Sequence, residues 1–239
     1  VISGTIDSDA SLTDPYNVTI TADDSEGGVV SGAFTWTVNN VIPTVGVLND
    51  QTNDDSSTVS LDVSGAFTDA DGDTLKYSAT GLPGSLSIDE GTGVISGSID
   101  SNASVTDPYT VIVTADDSEG GVVSGTFTWT VNNVDPMVGI LVTQTNDDGA
   151  SVSLDVSGAF TDADGDTLKY TASNLPGGLS IDEITGVISG TIDSDASLTD
   201  PYNVTITADD SEGGVVSGTF TWTVNNVDPM VGILVTQTN

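Results

Sequence analysis

Apolar and polar residues alternate along this chain in short runs, and the runs recur. Val59, Leu61 and Val63 alternate with Ser60 and Asp62, and Leu75, Tyr77 and Ala79 with Lys76 and Ser78. Tyr109, Val111, Val113 and Ala115 form a longer run, and Phe127, Trp129 and Val131 alternate with Thr126, Thr128 and Thr130. Successive side chains of a strand point to opposite faces, so each run predicts a strand with one face buried. Shorter strands are predicted around Leu86–Ile88 and Val94–Ile99. Turn chemistry separates the runs at Gly81-Leu82-Pro83-Gly84, Glu90-Gly91-Thr92-Gly93, Thr106-Asp107-Pro108 and Asp116 to Gly121. No window carries the period of a helix.

The pattern repeats on a long period. Val1-Ile2-Ser3-Gly4 returns at Val94 and at Val187, and Trp36, Trp129 and Trp222 stand 93 residues apart. Residues 1–40 read as the second half of one repeat, 41–133 and 134–226 as two whole repeats, and 227–239 as the first strand of another. The boundaries fall at Asn39-Asn40, Asn132-Asn133 and Asn225-Asn226, each with a proline soon after, where an edge strand tolerates a missing N–H. About seven strands per 93-residue repeat predict an all-β chain of tandem Greek-key β-sandwiches. Copies this alike suit a spacer, in which length matters and each unit does the same job. The window is expected to come from a longer array, or its partial ends to be completed by strand exchange with like chains. Either route leads to a filament.

Charge and composition narrow the function. There are 36 Asp and Glu against two Lys and Arg, a formal charge of −34. A phosphate backbone needs Lys and Arg to release its counterions, so nucleic acid is excluded as a partner. No apolar run approaches the ~20 residues of a membrane span. The absence of Cys removes disulfides and thiolate sites, and the absence of His removes the usual general base. An enzyme would need carboxylates alone, and nothing brings the one conceivable pair, Glu90 and Glu119, together; the chain is read as no enzyme. The triplets Asn17-Val18-Thr19, Asn102-Ala103-Ser104 and Asn203-Val204-Thr205 read as chance sequons in a chain rich in Ser and Thr.

One stretch carries chemistry. Phe67-Thr68-Asp69-Ala70-Asp71-Gly72-Asp73-Thr74-Leu75-Lys76-Tyr77 returns residue for residue as Phe160 to Tyr170. Extended, Asp69, Asp71 and Asp73 would lie on one face ~7 Å apart unless the chain turns at Gly72. That spacing is inside the ~8 Å Debye length of physiological salt. Three carboxylates so close, and Asp162, Asp164 and Asp166 in the next copy, call for a bound cation or a raised pKa. A hard cation that takes oxygen ligands, Ca²⁺, is the simplest answer. An EF-hand is excluded, because Thr74 and Thr80 stand where its Gly and Glu would be.

These residues, with Gly81-Leu82-Pro83, Leu86-Ser87-Ile88-Asp89 and Thr92 to Gly97, resemble the cadherin-like domains of bacterial surface proteins, in particular the dystroglycan-type cadherin-like, or immunoglobulin-like, module. The resemblance covers essentially the whole chain. It implies a calcium-binding sandwich used in tandem, extracellular or on the surface of a prokaryotic cell. The family's Asp-x-Asp matches Asp69 and Asp71, then Asp162 and Asp164. Its Ala-x-Asp matches Ala115-Asp116-Asp117 and Ala208-Asp209-Asp210, and its linker ligands match Asn39, Asn40, Asn132, Asn133 and Asp135. By this resemblance one site joins Asn39 and Asn40 to Asp69, Asp71 and Asp117. A second joins Asn132, Asn133 and Asp135 to Asp162, Asp164 and Asp210. The cadherin Leu-Asp-Arg-Glu segment has no counterpart, since Ile99-Asp100-Ser101-Asn102 stands there, so fewer ions per junction are expected. Ile42 replaces Asp135 in the first linker, which is expected to be the weaker. The function expected is a calcium-stiffened extracellular stalk or filament with structural or adhesive use. The alternative is a carbohydrate- or protein-binding module, its partner a surface receptor, a glycan or a like domain.

Overall fold

A computed structural model describes residues 1–230 and 232. The chain divides into two compact units, Val1–Asn132 and a second beginning at Asn133. Most of the strand expected within 227–239 lies outside the described residues, and 227–230 are irregular.

The first unit opens with a 3-10 turn, Ser8–Thr13, and the hairpin of β1 (Tyr16–Asp23) and β2 (Val29–Trp36). The complete repeat follows with β3 (Thr44–Val45), β4 (Gln51–Asp54), β5 (Thr58–Asp62), β6 (Phe67–Thr68), β7 (Lys76–Thr80), β8 (Ser87–Ile88), β9 (Val94–Ser98), β10 (Tyr109–Asp116) and β11 (Val122–Asn132). They form a four-stranded sheet in the order β4-β11-β10-β7, a three-stranded sheet β5-β9-β8, and the short ladder β3-β6. The second unit repeats this with β12 (Met137–Val138), β13 (Gln144–Asp147), β14 (Ser151–Asp155), β15 (Phe160–Thr161), β16 (Lys169–Ser173), β17 (Leu179–Ile181), β18 (Val187–Thr191), β19 (Tyr202–Asp209) and β20 (Val215–Asn225). The all-β sandwich is as the alternation predicts.

Alternation decides which face is core. In β10, Val111, Val113 and Ala115 are fully buried, while Thr110, Ile112 and Asp116 face out. Ile95 of β9 and Trp129 of β11 meet them from the two sheets. Phe67 and Tyr77 pack edge to face at 5.7 Å, and Phe127 and Trp129 lie tilted at 5.8 Å. A buried indole must place its N–H, and Trp129 Nε1 donates to Asn53 Oδ1 at 3.1 Å. Trp222 does the same to Asn146 at 3.0 Å.

Each complete repeat holds nine strands rather than about seven. The ones that no apolar alternation marks are β3, β4 and β6 and their copies. β4 reads Gln51-Thr52-Asn53-Asp54 and has no apolar alternation to betray it. Its strand geometry comes from outside the segment: parallel pairing of Gln51 to Asp54 with Trp129 to Asn132, and the Asn53 bond to the indole. β3 and β6 are two-residue ladders closing the rim.

Close approach explains one glycine in the last strand. A Cβ on Gly218 would lie 2.7 Å from Leu141 Cδ1 and 2.8 Å from Val138 Cγ2, and Gly125 faces Leu48 and Val45 likewise. Gly32, at the same place in β2, has nothing within 4 Å. Overpacking typically costs ~1–3 kcal/mol. Gly218→Val is therefore expected to lower the unfolding transition of the second unit by several degrees, and Gly32→Val to leave melting unchanged. Differential scanning calorimetry of the two variants checks this.

Candidate metal centre

The loop after β6 does not run extended through its aspartates. Gly72 has φ +94°, a left-handed conformation that favours glycine, and turns the chain there. Asp69 Oδ1 accepts the N–H groups of Asp71 at 3.1 Å and Gly72 at 3.2 Å. This local turn folds Asp71 and Asp73 back toward Asp69, so they converge instead of lining a strand.

Two other segments close on the loop. The linker contributes Val41 N–H, which donates to Asp71 Oδ2 at 3.1 Å, and Asn40 Nδ2, which donates to Asp117 Oδ2 at 2.7 Å. The β10–β11 turn contributes Asp117, which is 3% exposed. Its Oδ1 accepts Glu119 N–H at 2.7 Å and Gly121 N–H at 2.8 Å. Gly121 is needed there, because a Cβ would meet Asp117 Oδ2 and lie 2.9 Å from Pro43 Cδ.

The test of fit is what remains unpaired. Asn40 Oδ1, Asp69 Oδ2, Asp71 Oδ1 and both carboxylate oxygens of Asp73 are buried without a hydrogen-bond partner. Carboxylate oxygens of Asp69, Asp73 and Asp117 lie within 4.8 Å of one another. A buried unpaired carboxylate oxygen is costly unless it is protonated or bound to a cation. With Asp117 the donors are all oxygen, and their number is in the six-to-eight range that Ca²⁺ takes. The residues fit the ion.

Electrostatics gives the same result. The Asp69 carboxyl beside Asp71 favours a proton on Asp71 and raises its pKa, with desolvation and the charges of Asp69 and Asp73 adding to this. Asp73 is raised by desolvation, then by Glu119, Asp69 and Asp9. Asp117 goes the other way: burial raises its pKa, but the bonds from Asn40, Glu119, Gly121 and Gly120 together outweigh it and the net shift is down.

The second unit builds the same loop. Asp162 Oδ1 accepts Asp164 N–H at 3.2 Å and Gly165 N–H at 3.3 Å, and Asn133 Nδ2 donates to Asp210 Oδ2 at 2.8 Å. Asn133 Oδ1 and Asp162 Oδ2 are buried without partners. Asp164 is pushed up to about 7 by burial, then by the hydrogen bond and charge of Asp162 and the charge of Asp166. Asp135 lies beside Asp210, since the Oδ1 of Asp135 and the Oδ2 of Asp210 both crowd the place where Gly214 would carry a Cβ.

Some expected ligands sit elsewhere. Asn39 is exposed and has no side-chain bond among the described residues. Asn132 spends its amide N–H on Asp54 Oδ1 at 3.1 Å within the first unit. Two acids absent from the expected set join the first cluster: Asp9 and Glu119 place carboxylate oxygens within 4.8 Å of Asp73. The signal for Asp9 was in the sequence. Ile6-Asp7-Ser8-Asp9 stands 93 residues before Ile99-Asp100-Ser101-Asn102 and ends in an acid where the later copy has Asn. Glu90 lies apart, exposed and paired with Lys76 Nζ at 3.7 Å.

The paired sheets and the repeat define immunoglobulin-type sandwich domains in tandem. The family described as Putative Ig domain matches residues 42–132 and 136–225, and the chain belongs to it in two copies. Among solved structures, the chain is similar to mouse cadherin-23 EC22-24 at 21% identity, covering 94% of this chain and 78% of that one with a TM-score of 0.36. It is similar to Drosophila N-cadherin EC1-4 at 14% identity, covering 88% and 58% with a TM-score of 0.33. An endo-fucoidan hydrolase of glycoside hydrolase family 107 matches at 18% identity and a TM-score of 0.38, over 92% of this chain and 35% of the hydrolase. The chain thus spans about a third of that protein's length. No curated protein sequence matches the chain.

Proposed function

We propose that this chain is part of an extracellular tandem-domain stalk or filament of a prokaryotic surface, stiffened by Ca²⁺ where one repeat meets the next, and that it catalyses no reaction. The observation that carries this reading is the buried oxygens of Asn40, Asp69, Asp71 and Asp73 without hydrogen-bond partners. Bound there, Ca²⁺ would supply positive charge and six to eight coordination positions. The chain's own residues do the mechanical work. Asn40 and Val41 are tied to Asp117 and Asp71, and Asn133 is tied to Asp210, so each linker is fastened to the repeat that follows it. Asp73 is shared by both acidic groups of the first unit and is best placed to sense whether the cluster is neutralised. Partners are neighbouring repeats of the same or like chains. The net charge of −34 disfavours nucleic acid and anionic lipid.

Small-angle X-ray scattering of the full chain tests the stiffening. Adding 2 mM Ca²⁺ after excess chelator is expected to sharpen the distance distribution, and Asp71→Asn with Asp164→Asn to abolish the change. Identical scattering in chelator and in Ca²⁺ would refute the reading.

A further inference from the structure

The outer face of each four-stranded sheet carries no charge away from its two ends. In the first unit β10 turns Thr110, Ile112 and Thr114 outward, and its neighbours add Thr126 and Thr128 of β11 and Thr80 of β7. The register sets Ile112 between Thr126 and Thr80, at the middle of the face, where it is 40% exposed. Asp116 beside Lys76 closes one end, and Asp54 the other. In the second unit Thr205 takes the central place between Thr219 and Ser173. Asp50 stands at the edge of the first face, accepting the Thr128 N–H at 2.7 Å, and Thr143 holds that position in the second. The outer faces of the three-stranded sheets are narrower and carry Asp62 and Asp155. A chain with 36 Asp and Glu thus keeps one broad face free of them in both complete repeats. Depletion of charge marks the core of a protein interface.

The face also suits close packing. Its side chains are short, and each Thr presents a methyl beside a hydroxyl. Thr114 and Ser124 already share a hydrogen bond at 2.8 Å, as do Thr207 and Ser217, so these hydroxyls keep a partner when water leaves. At strand spacings of ~4.8 Å across and ~3.3 Å per residue along, one face covers ~450 Å². Two faces in contact bury ~900 Å², and both repeats together ~1,800 Å², within the ~1,200–2,000 Å² of a stable interface. We propose that two copies of this chain pair through these faces, sheet against sheet, with Ile112 and Thr205 at the centres of the contact. Sheets of one twist pack in this way in sandwich cores, aligned within about 30°. The same patch serves both partners, so the contact is isologous and closes as a dimer. It gives the like-chain partner proposed above a surface, and it does not use the cation centres.

Sedimentation velocity of the full chain from 10 μM to 1 mM tests this. Chelator keeps the cation centres out of the result, and 0.5 M NaCl screens like charges. The mean sedimentation coefficient is expected to rise with concentration toward that of a dimer. Thr126→Asp with Thr219→Asp sets a carboxylate near the middle of each face and should weaken association at least about tenfold. Thr128→Asp with Thr221→Asp repeats the test if circular dichroism shows the first pair unfolded. Ser60→Asp with Ser153→Asp adds the same charge on the three-stranded sheets and should leave association unchanged. A chain that stays monomeric to 1 mM overturns the proposal. So does association that survives the threonine substitutions, or that Ser60→Asp with Ser153→Asp weakens as much.

Discussion

In chelator, the chain is expected to lose stability as the pH rises from 4.5 to 8, and millimolar Ca²⁺ to restore it. Asp164 is pushed up to about 7, well above the ordinary carboxylate range, and Asp71 and Asp73 are shifted in the same direction. Between those limits the folded state holds more protons than the unfolded one, so stability is fully present below about pH 4 from these groups and falls as pH rises through the folded pKa. For Asp164 the difference between an ordinary carboxyl and one at about 7 corresponds to ~4 kcal/mol at most. Asp164 is partly open to solvent and shares its charge with Asp162 and Asp166, which reduces the expected loss to ~1–2 kcal/mol. That is about 5–10 °C in melting temperature for a domain of this size. Asp62, Asp89, Asp155 and Asp182 act in the opposite sense. Hydrogen bonds from Ser64, Thr92, Ser157 and Thr185 hold them down, so their contribution is present above the usual carboxylate range and is lost below it. The metal-free chain should therefore be most stable near pH 4.5. Ca²⁺ binds the deprotonated cluster, and at ten times Kd adds ~1.4 kcal/mol per site, so with the ion the optimum moves toward neutral pH. Calorimetry at pH 4.5, 6 and 8, in chelator and in Ca²⁺, measures this directly. Asp164→Asn should flatten the metal-free dependence of the second unit.

The largest effect of a single substitution is expected at Trp222. Its side chain is fully buried between the sheets, packs on Phe220 at 5.9 Å and donates to Asn146 at 3.0 Å. Trp→Ala in such a place costs ~3–5 kcal/mol, much of a small domain's whole stability. It also leaves Asn146 Oδ1 without its donor and loosens the parallel pairing of β13. Trp222→Ala should unfold the second unit near room temperature while the first unit keeps its own transition. Trp222→Phe retains most of the burial and should cost ~1–3 kcal/mol, the part owed to the lost bond and the smaller ring. Two resolved calorimetric transitions, one shifted and one not, are the expected outcome.

How much of this the residues alone reveal depends on whether a segment carries its own reason to fold. Val111, Val113 and Ala115, or Phe127 and Trp129, show their strands by alternation, because burial of one face is what makes them strands. Gln51 to Asp54 do not, since β4 is held by its neighbour and by an indole 76 residues away. The same division runs through the candidate metal centre. Asp69, Asp71 and Asp73 are legible because they are close in sequence and turned by Gly72. Asn40 comes into view through the resemblance to cadherin-like linkers and Asp117 through the family's Ala-x-Asp motif, and the structure joins them by a direct bond. Asp9 and Glu119 were missed, since 110 residues of chain separate two acids that only the fold brings to Asp73. Asn132 was expected at the second centre from the resemblance to cadherin-like linkers, yet it ends β11 and its amide N–H goes to Asp54 Oδ1 within the first unit.

Equilibrium dialysis of the full chain against Ca²⁺ at pH 7.5 tests the central claim most directly. Saturable binding is predicted, with Kd of the order of 0.1–1 mM as for extracellular calcium modules. One class of sites should be lost in Asp71→Asn with Asp73→Asn, and another in Asp162→Asn with Asp164→Asn. Uptake that stays linear to 10 mM Ca²⁺, or a saturable isotherm that none of these substitutions changes, would contradict it.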